Sequence, residues 1–212
     1  MYSLEKLVES LENKKILKTP AIKEAFLKVD RSKFILPEYM DRAYEDRPLP
    51  VGENQTISQP LTVAFMLELL QPQKDNKVLD VGSGSGWTTA LLAEIVGKQG
   101  KVFAIERIKG LKEYGENNLK NLAYTNVHFR EGNGAKGWPE HAPFDRILVN
   151  AAAPTIPPLL KHQLKPGGKL VIPLSDLYGH IVLLHKHAED KYEKELFPGF
   201  AFVPFIDDEN EL

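Results

Sequence analysis

The chain has 212 residues, 42% of them hydrophobic and 26% charged, the balance of an ordinary globular domain with room for one substantial core. A formal net charge of −2 argues against nucleic acid or an acidic membrane surface as the main partner, and the lack of any cysteine excludes disulfides and thiolate metal sites. No apolar run approaches the roughly 20 residues of a membrane-spanning helix. The opening MYSLEKLVESLENKK lacks the basic start and apolar middle of a secretory signal, so a cytoplasmic enzyme or binding protein is expected.

Leu4, Leu7, Val8 and Leu11 recur at helical spacing and predict a first helix. Thr19-Pro20 opens a second, with Thr19 as cap and Ile22, Ala25, Phe26 and Val29 as its apolar face. Residues 34–52, rich in Pro, Tyr and charge, read as a loop long enough to be functional. A third helix runs from Pro60 through LTVAFMLELL and stops at Pro72. Strands then alternate with helices: KVLDVG, a helix over Trp87–Val96, KVFAIE, a helix to about Leu122, VHFREG, the apolar FDRILVNAAA, and a short helix over 157–164. After the KPGGK turn, LVIPL and HIVLLHKH are strands, and residues 200–205 are expected to supply another. The late strands follow one another without a helix, which predicts an antiparallel hairpin at one edge. The expected architecture is α/β and Rossmann-like, with a mostly parallel sheet and an N-terminal helical cap. It is read as one domain over 1–212: cap and substrate segment 1–71, cofactor-binding core 72–175, edge strands 176–212.

The string Asp80-Val81-Gly82-Ser83-Gly84-Ser85-Gly86 follows a predicted strand and opens a predicted helix, the context in which a glycine loop binds a ligand at the carboxyl ends of strands. It fails the dinucleotide pattern G-x-G-x-x-G, whose last glycine would fall on Trp87 or Thr89. Asp80 would repel a pyrophosphate but suits a cofactor carrying an ammonium and a sulfonium, directly or through water. D-x-G-x-G-x-G therefore fits S-adenosylmethionine better than NAD. Glu106 ends the next strand, where a carboxylate can take both hydroxyls of a ribose, with Arg107 beside it. The third strand ends in Gly132-Asn133-Gly134, where Asn133 could accept from an adenine amino group. Each feature alone has a bland reading as a turn or a solvated charge; together, at three successive strand ends, they are expected to line one crevice.

KVLDVGSGSG, AIERIKGL, the AAAP of VNAAAP, LKPGGKLVIP and above all Thr56-Ile57-Ser58-x-Pro60 resemble the protein-L-isoaspartate O-methyltransferase family, over nearly the whole chain. The resemblance implies transfer of a methyl group from S-adenosylmethionine, leaving S-adenosylhomocysteine, to the isoaspartyl carboxylate of damaged proteins or peptides, which leads to their repair. It implies that Ser58 lies at the reaction centre, and that Thr56 and Ile57 contact the cofactor and cover the site. Four positions depart from residues found in family members: Asn133 for Asp, Val63 for His, Ala201 for a basic residue, and Ile206 for a polar one. Another acceptor, or a cofactor-binding adaptor without catalysis, remain the alternatives. Without the flanking motif, Ser58 would be read as a helix cap ahead of Pro60.

His185 and His187, two apart on a predicted strand, share a face, but the sequence offers no evident third ligand and no metal is expected. Trp87 and Trp138 read as packing residues and residues 207–211 as an acidic tail. The sequence leaves the oligomeric state open, with a monomer favoured.

Overall fold

Helix α1 (Leu4–Asn13) starts at Ser3, whose hydroxyl accepts from the Lys6 amide at 3.3 Å, and it buries Leu7, Val8 and Leu11 as the spacing requires. Helix α2 (Pro20–Lys28) follows, in a computed structural model that describes residues 3–207. Thr19 holds the expected cap position, but its hydroxyl makes no cap bond to its own helix. It donates instead to Glu68 at 2.7 Å, and the same carboxylate accepts from the Lys18 and Thr19 amides. Glu68 belongs to helix α3 (Pro60–Leu70), so this one side chain ties the two helices together. Gln71, in the left-handed region at φ 51°, ends α3 just before Pro72.

The stretch expected as loop is more ordered than its composition indicates. Short 3-10 turns occupy Arg31–Phe34 and Pro37–Arg42, and an antiparallel pair joins β1 (Leu49–Gly52) to β2 (Gln55–Ile57). These pieces are too short to carry a periodic signal.

The main sheet comprises β3 (Lys77–Val81), β4 (Lys101–Glu106), β5 (Val127–Glu131), β6 (Phe144–Val149), β7 (Leu164–Pro173), β8 (Ile181–Ala188) and β9 (Lys191–Phe197), in the order β5-β4-β3-β6-β7-β8-β9. The first five are parallel, and β8 and β9 are antiparallel additions at the edge. Helices α4 (Trp87–Val96), α5 (Lys109–Asn121) and α6 (Pro158–His162) make the crossovers. Central strands are buried on both faces, as parallel sheets require. Val78, Val102, Leu148, Val171 and Leu183 face the core that holds α1 to α4, while Leu79, Phe103, Ile147, Leu170 and Val182 face the other. The chain winds from β3 outward through β4 and β5, then returns to the opposite side of β3 at β6. That reversal opens a crevice at the carboxyl ends of β3 and β6.

The expected strand over residues 200–205 is absent; a lone bridge of Pro204 to Ala152 is its only pairing. Its apolar residues serve packing: Phe200 stacks on Phe65 at 5.1 Å. The edge strand is instead β9, KYEKELF, most of whose side chains are exposed, so no hydrophobic alternation marks it in the sequence. Beyond Asp207, the acidic run lies outside the described residues. Among the described residues, no helix is long and apolar enough to cross a membrane.

Candidate active site at the carboxyl edge of the sheet

The glycine loop leaves β3 with Gly82, Gly84 and Gly86 at φ of 77°, 53° and 88°, a conformation that side-chain-bearing residues rarely take. The Gly82 and Ser83 amides donate to the Ile105 carbonyl at 2.8 and 3.1 Å, fastening the loop to the end of β4. Glu106, the last residue of β4 and almost fully buried, accepts from the Gly84 amide at 2.9 Å with one oxygen and from the Ile108 amide at 3.0 Å with the other. One carboxylate thus links the loop to the entry of α5. Gly86 begins α4 against α5: a Cβ there would lie 2.6 Å from Leu119 and 3.1 Å from the Gly115 carbonyl.

These strand ends surround an open cavity. Of the residues expected from sequence, Thr56, Ile57, Ser58, Gly82, Ser83, Gly84, Glu106, Arg107, Gly132 and Gly134 line it together. Ser83 is buried in its wall, and its hydroxyl has no hydrogen-bond partner among the described residues. A ligand with polar groups would satisfy it, and the Glu106 carboxylate retains lone pairs beyond its two amide bonds. The donor set and the open space above Gly84, where an added Cβ would meet nothing within 4 Å, fit S-adenosylmethionine.

Three expected residues stand behind the wall. Asp80, expected beside the cofactor directly or through water, is fully buried and points beneath the loop, accepting from Thr89 at 2.6 Å and from Asn150 at 2.7 Å. Burial, reinforced by the nearby Glu106 charge, pushes its carboxyl up to about 6 against the hydrogen bonds that favour the ion. Its route to the cavity runs through Asn150, which does line it. The Asn133 side chain is engaged elsewhere: its amide donates to Asp207 at 2.8 Å and its oxygen accepts from the Ala135 amide at 2.9 Å. Gly86 is a packing glycine, as above.

Sequence reasoning missed several wall residues. Asn150 follows β6 at the chain reversal, a position that strand order alone could have flagged. Thr88, Ile108 and Leu111 come from the first turns of α4 and α5. Val203, Pro204, Phe205 and Ile206 arrive from the C-terminal segment, held by Ala152–Val203 and Phe205–Ala152 backbone bonds of 2.8 Å each; the family resemblance, and no local spacing, points to this segment. Of the four family departures, only Ile206 is in the wall; Asn133 stands behind it, Val63 is buried in α3, and Ala201 is exposed.

The opposite wall rests on a buried arginine. Arg31 is fully buried, lies 5.3 Å over the Trp87 ring, and donates to the carbonyls of Ala43, Glu45, Arg47 and Ser58 at 2.7, 3.4, 2.9 and 3.2 Å. Burial lowers its pKa to about 10, so it stays charged at neutral pH. Asp46, in the same strap, accepts from the Leu61 amide at 2.9 Å and satisfies the amino end of α3. The cap position of α3 falls on Gln59, so Ser58 is not the helix cap that a bland reading would make it. Ser58 is half-buried in the cavity wall.

A parallel sheet that reverses at its first core strand, a glycine loop, and an acidic residue closing the next strand define a Rossmann-like, S-adenosylmethionine-dependent methyltransferase. A sequence model of the protein-L-isoaspartate(D-aspartate) O-methyltransferase family matches residues 2–210. A protein-L-isoaspartate O-methyltransferase of Methanopyrus kandleri is 46% identical over 207 residues, covering 97% of this chain and 92% of the relative. A solved protein-L-isoaspartate O-methyltransferase superposes with a TM-score of 0.87 at 29% identity, over 95% of this chain; this chain spans 65% of that longer one. A Plasmodium falciparum protein described as a protein-L-isoaspartate O-methyltransferase, solved with S-adenosyl-L-homocysteine, also reaches 0.87, at 26% identity over 97% of this chain and 99% of that one. The chain belongs to the protein-L-isoaspartate(D-aspartate) O-methyltransferase family.

The buried Asp80 makes stability depend on pH. Its folded pKa, about 6, lies above the 3.8 of an ordinary aspartate, so between these values the folded state holds more protons than the unfolded one. Its contribution is therefore fully present below about pH 4 and is lost as pH rises through 6. Urea unfolding of wild type and Asp80→Asn from pH 4 to 8 should show wild type losing on the order of 2–3 kcal/mol relative to the variant. A difference that stays flat with pH contradicts this reading of Asp80.

Proposed function

We propose that this chain moves a methyl group from S-adenosylmethionine to the free carboxylate of L-isoaspartyl residues in damaged proteins and peptides, and that Ser58 holds that carboxylate in line. The observation that supports it is one cavity wall shared by the glycine loop, Glu106 and Ser58. The bound donor supplies a methyl group already made electrophilic by its sulfonium. The protein's part is to bind, align and exclude water.

Glu106 takes the ribose hydroxyls with the lone pairs its two amide bonds leave free. Ser83 and the amino end of α4, where Trp87 and Thr88 meet the cavity, receive the carboxylate of the donor's amino-acid end. Ile108 and Leu111 offer an apolar surface to adenine between Arg107 and the backbone of Gly132 and Gly134. Asp80 acts from below, holding Asn150 and adding negative charge that favours a cationic donor. Asn133 supports the adenine end through the backbone it fixes.

The acceptor carboxylate, with a reference pKa near ~4, is ionised at neutral pH, so no general base is required. The Ser58 hydroxyl donates to it. The Arg31 bond to the Ser58 carbonyl at 3.2 Å fixes the backbone that carries that hydroxyl. Thr56 and Ile57 cover the donor from the same segment, while Phe205 and Ile206 close the apolar side.

Two measurements test this. Methyl transfer from radiolabelled donor should occur to an isoaspartyl peptide and not to its normal aspartyl twin; equal labelling, or none, overturns the assignment. Ser58→Ala should lower kcat by roughly 10–100-fold, while calorimetric affinity for S-adenosylhomocysteine changes far less. An unchanged kcat removes Ser58 from its role.

A further inference from the structure

The edge hairpin brings together three metal-binding side chains outside the methyl-transfer cavity. His185 and His187 alternate along β8 and so project from one face, and Glu193 on β9 is the direct cross-strand partner of His185. The two imidazole rings lie 4.1 Å apart between centroids, and His187 Nε2 is 2.8 Å from a Glu193 oxygen. One ligand atom from each of the three residues lies within 4.8 Å of the other two. Zinc bonds of about 2.0–2.1 Å in a tetrahedron separate neighbouring donor atoms by roughly 3.4 Å, so small side-chain rotations would bring all three onto one ion.

We infer that His185, His187 and Glu193 form a surface site for a zinc-class divalent ion, with water as the fourth ligand. The His187–Glu193 hydrogen bond marks where the ion would sit: a proton shared by those two groups gives way to the metal, which keeps both as ligands. The donor set decides the metal class. Two imidazoles and a single carboxylate suit zinc, nickel or copper; magnesium and calcium need a shell of oxygens that this patch does not provide. The charge environment gives a cation no help. Lys169 on β7 is the cross-strand neighbour of His185 on its other side, and Arg146 pairs with Lys169 one strand further in. Arg146 is committed to the Gln71 and Asp145 carbonyls at 3.0 and 2.7 Å, but both cations oppose an ion held by charge alone. Binding must come from imidazole coordination.

None of the three side chains lines the methyl-transfer cavity. β8 leaves the carboxyl edge at Ile181, opposite Pro173, and reaches His185 and His187 toward the other end of the sheet. The consequence is structural. β9 is the outermost strand, and most of its side chains are exposed. An ion shared by His185, His187 and Glu193 would bolt β9 to β8 at the end of the hairpin opposite Phe197, which packs edge-on against Phe65 of α3 at 5.4 Å.

The test uses the full chain, stripped with chelator and titrated with zinc chloride by calorimetry and by thermal melting. One equivalent should bind and raise Tm, since ligand held by the folded state alone stabilises it; magnesium chloride should do neither. Loss of a metal's outer-sphere partner alone costs roughly 10–100-fold in affinity, so His187→Ala and Glu193→Gln should each weaken zinc binding by at least that much. His128→Gln, on the opposite edge strand β5 with the His141 ring 6.4 Å away between centroids, should leave binding unchanged. No zinc binding by wild type, or binding that survives both hairpin substitutions, overturns the inference. The two hairpin variants are surface changes, and their metal-free melting curves establish that each has folded.

Discussion

Two backbone amides from different parts of the chain meet on one carboxylate. Gly84, in the loop after β3, and Ile108, at the entry to α5, both donate to Glu106. This fixes the mouth of the crevice from two sides and leaves a carboxylate in its wall. Asp80 lies in the same corner, fully buried, with its proton affinity raised by desolvation and by the Glu106 charge. Two acidic groups held this close are electrostatically unfavourable when nothing positive faces them. A donor that carries an ammonium and a sulfonium relieves that repulsion, whereas a pyrophosphate would add to it. The preference among cofactors thus follows from the arrangement that also shapes the loop.

The acceptor side depends on a different kind of constraint. Arg31 collects four carbonyls from a strap and from Ser58, in a site with no carboxylate directly bonded to it. A planar guanidinium suits this task better than a lysine, because its several donors hold fixed directions. Trp87 connects the two halves: it stacks edge-on with Phe26 of α2 at 5.6 Å, lies under Arg31, and lines the cavity. The N-terminal helices are therefore part of the site's support, and the boundary between cap and core does not separate structure from chemistry.

Much of this was legible from residue order. Alternating apolar strands and helices gave the parallel sheet, and the spacing of Asp80, the glycines and Glu106 led to the right strand ends. What pattern reading lost was contact between segments distant in the chain. Asp80 occupies the motif position of a ligand-facing residue, yet a residue inside a central strand is buried before it can reach a ligand. Asn133 ends the correct strand, but its amide is taken by Asp207 and Ala135. Phe200 to Phe205 look like a strand because they are apolar, and β9 does not look like one because it is charged. In both cases burial was set by position at the edge of the sheet rather than by strand pairing. Glu193 was invisible as a partner of His185 until the hairpin register brought it opposite.

The most direct test of the central claim is a crystal structure of the protein with S-adenosylhomocysteine. The nucleoside should lie across the carboxyl ends of β3 and β4, with both ribose hydroxyls on Glu106 and the amino-acid end beside Ser83. Density in another cavity, or a ribose turned away from Glu106, would contradict it.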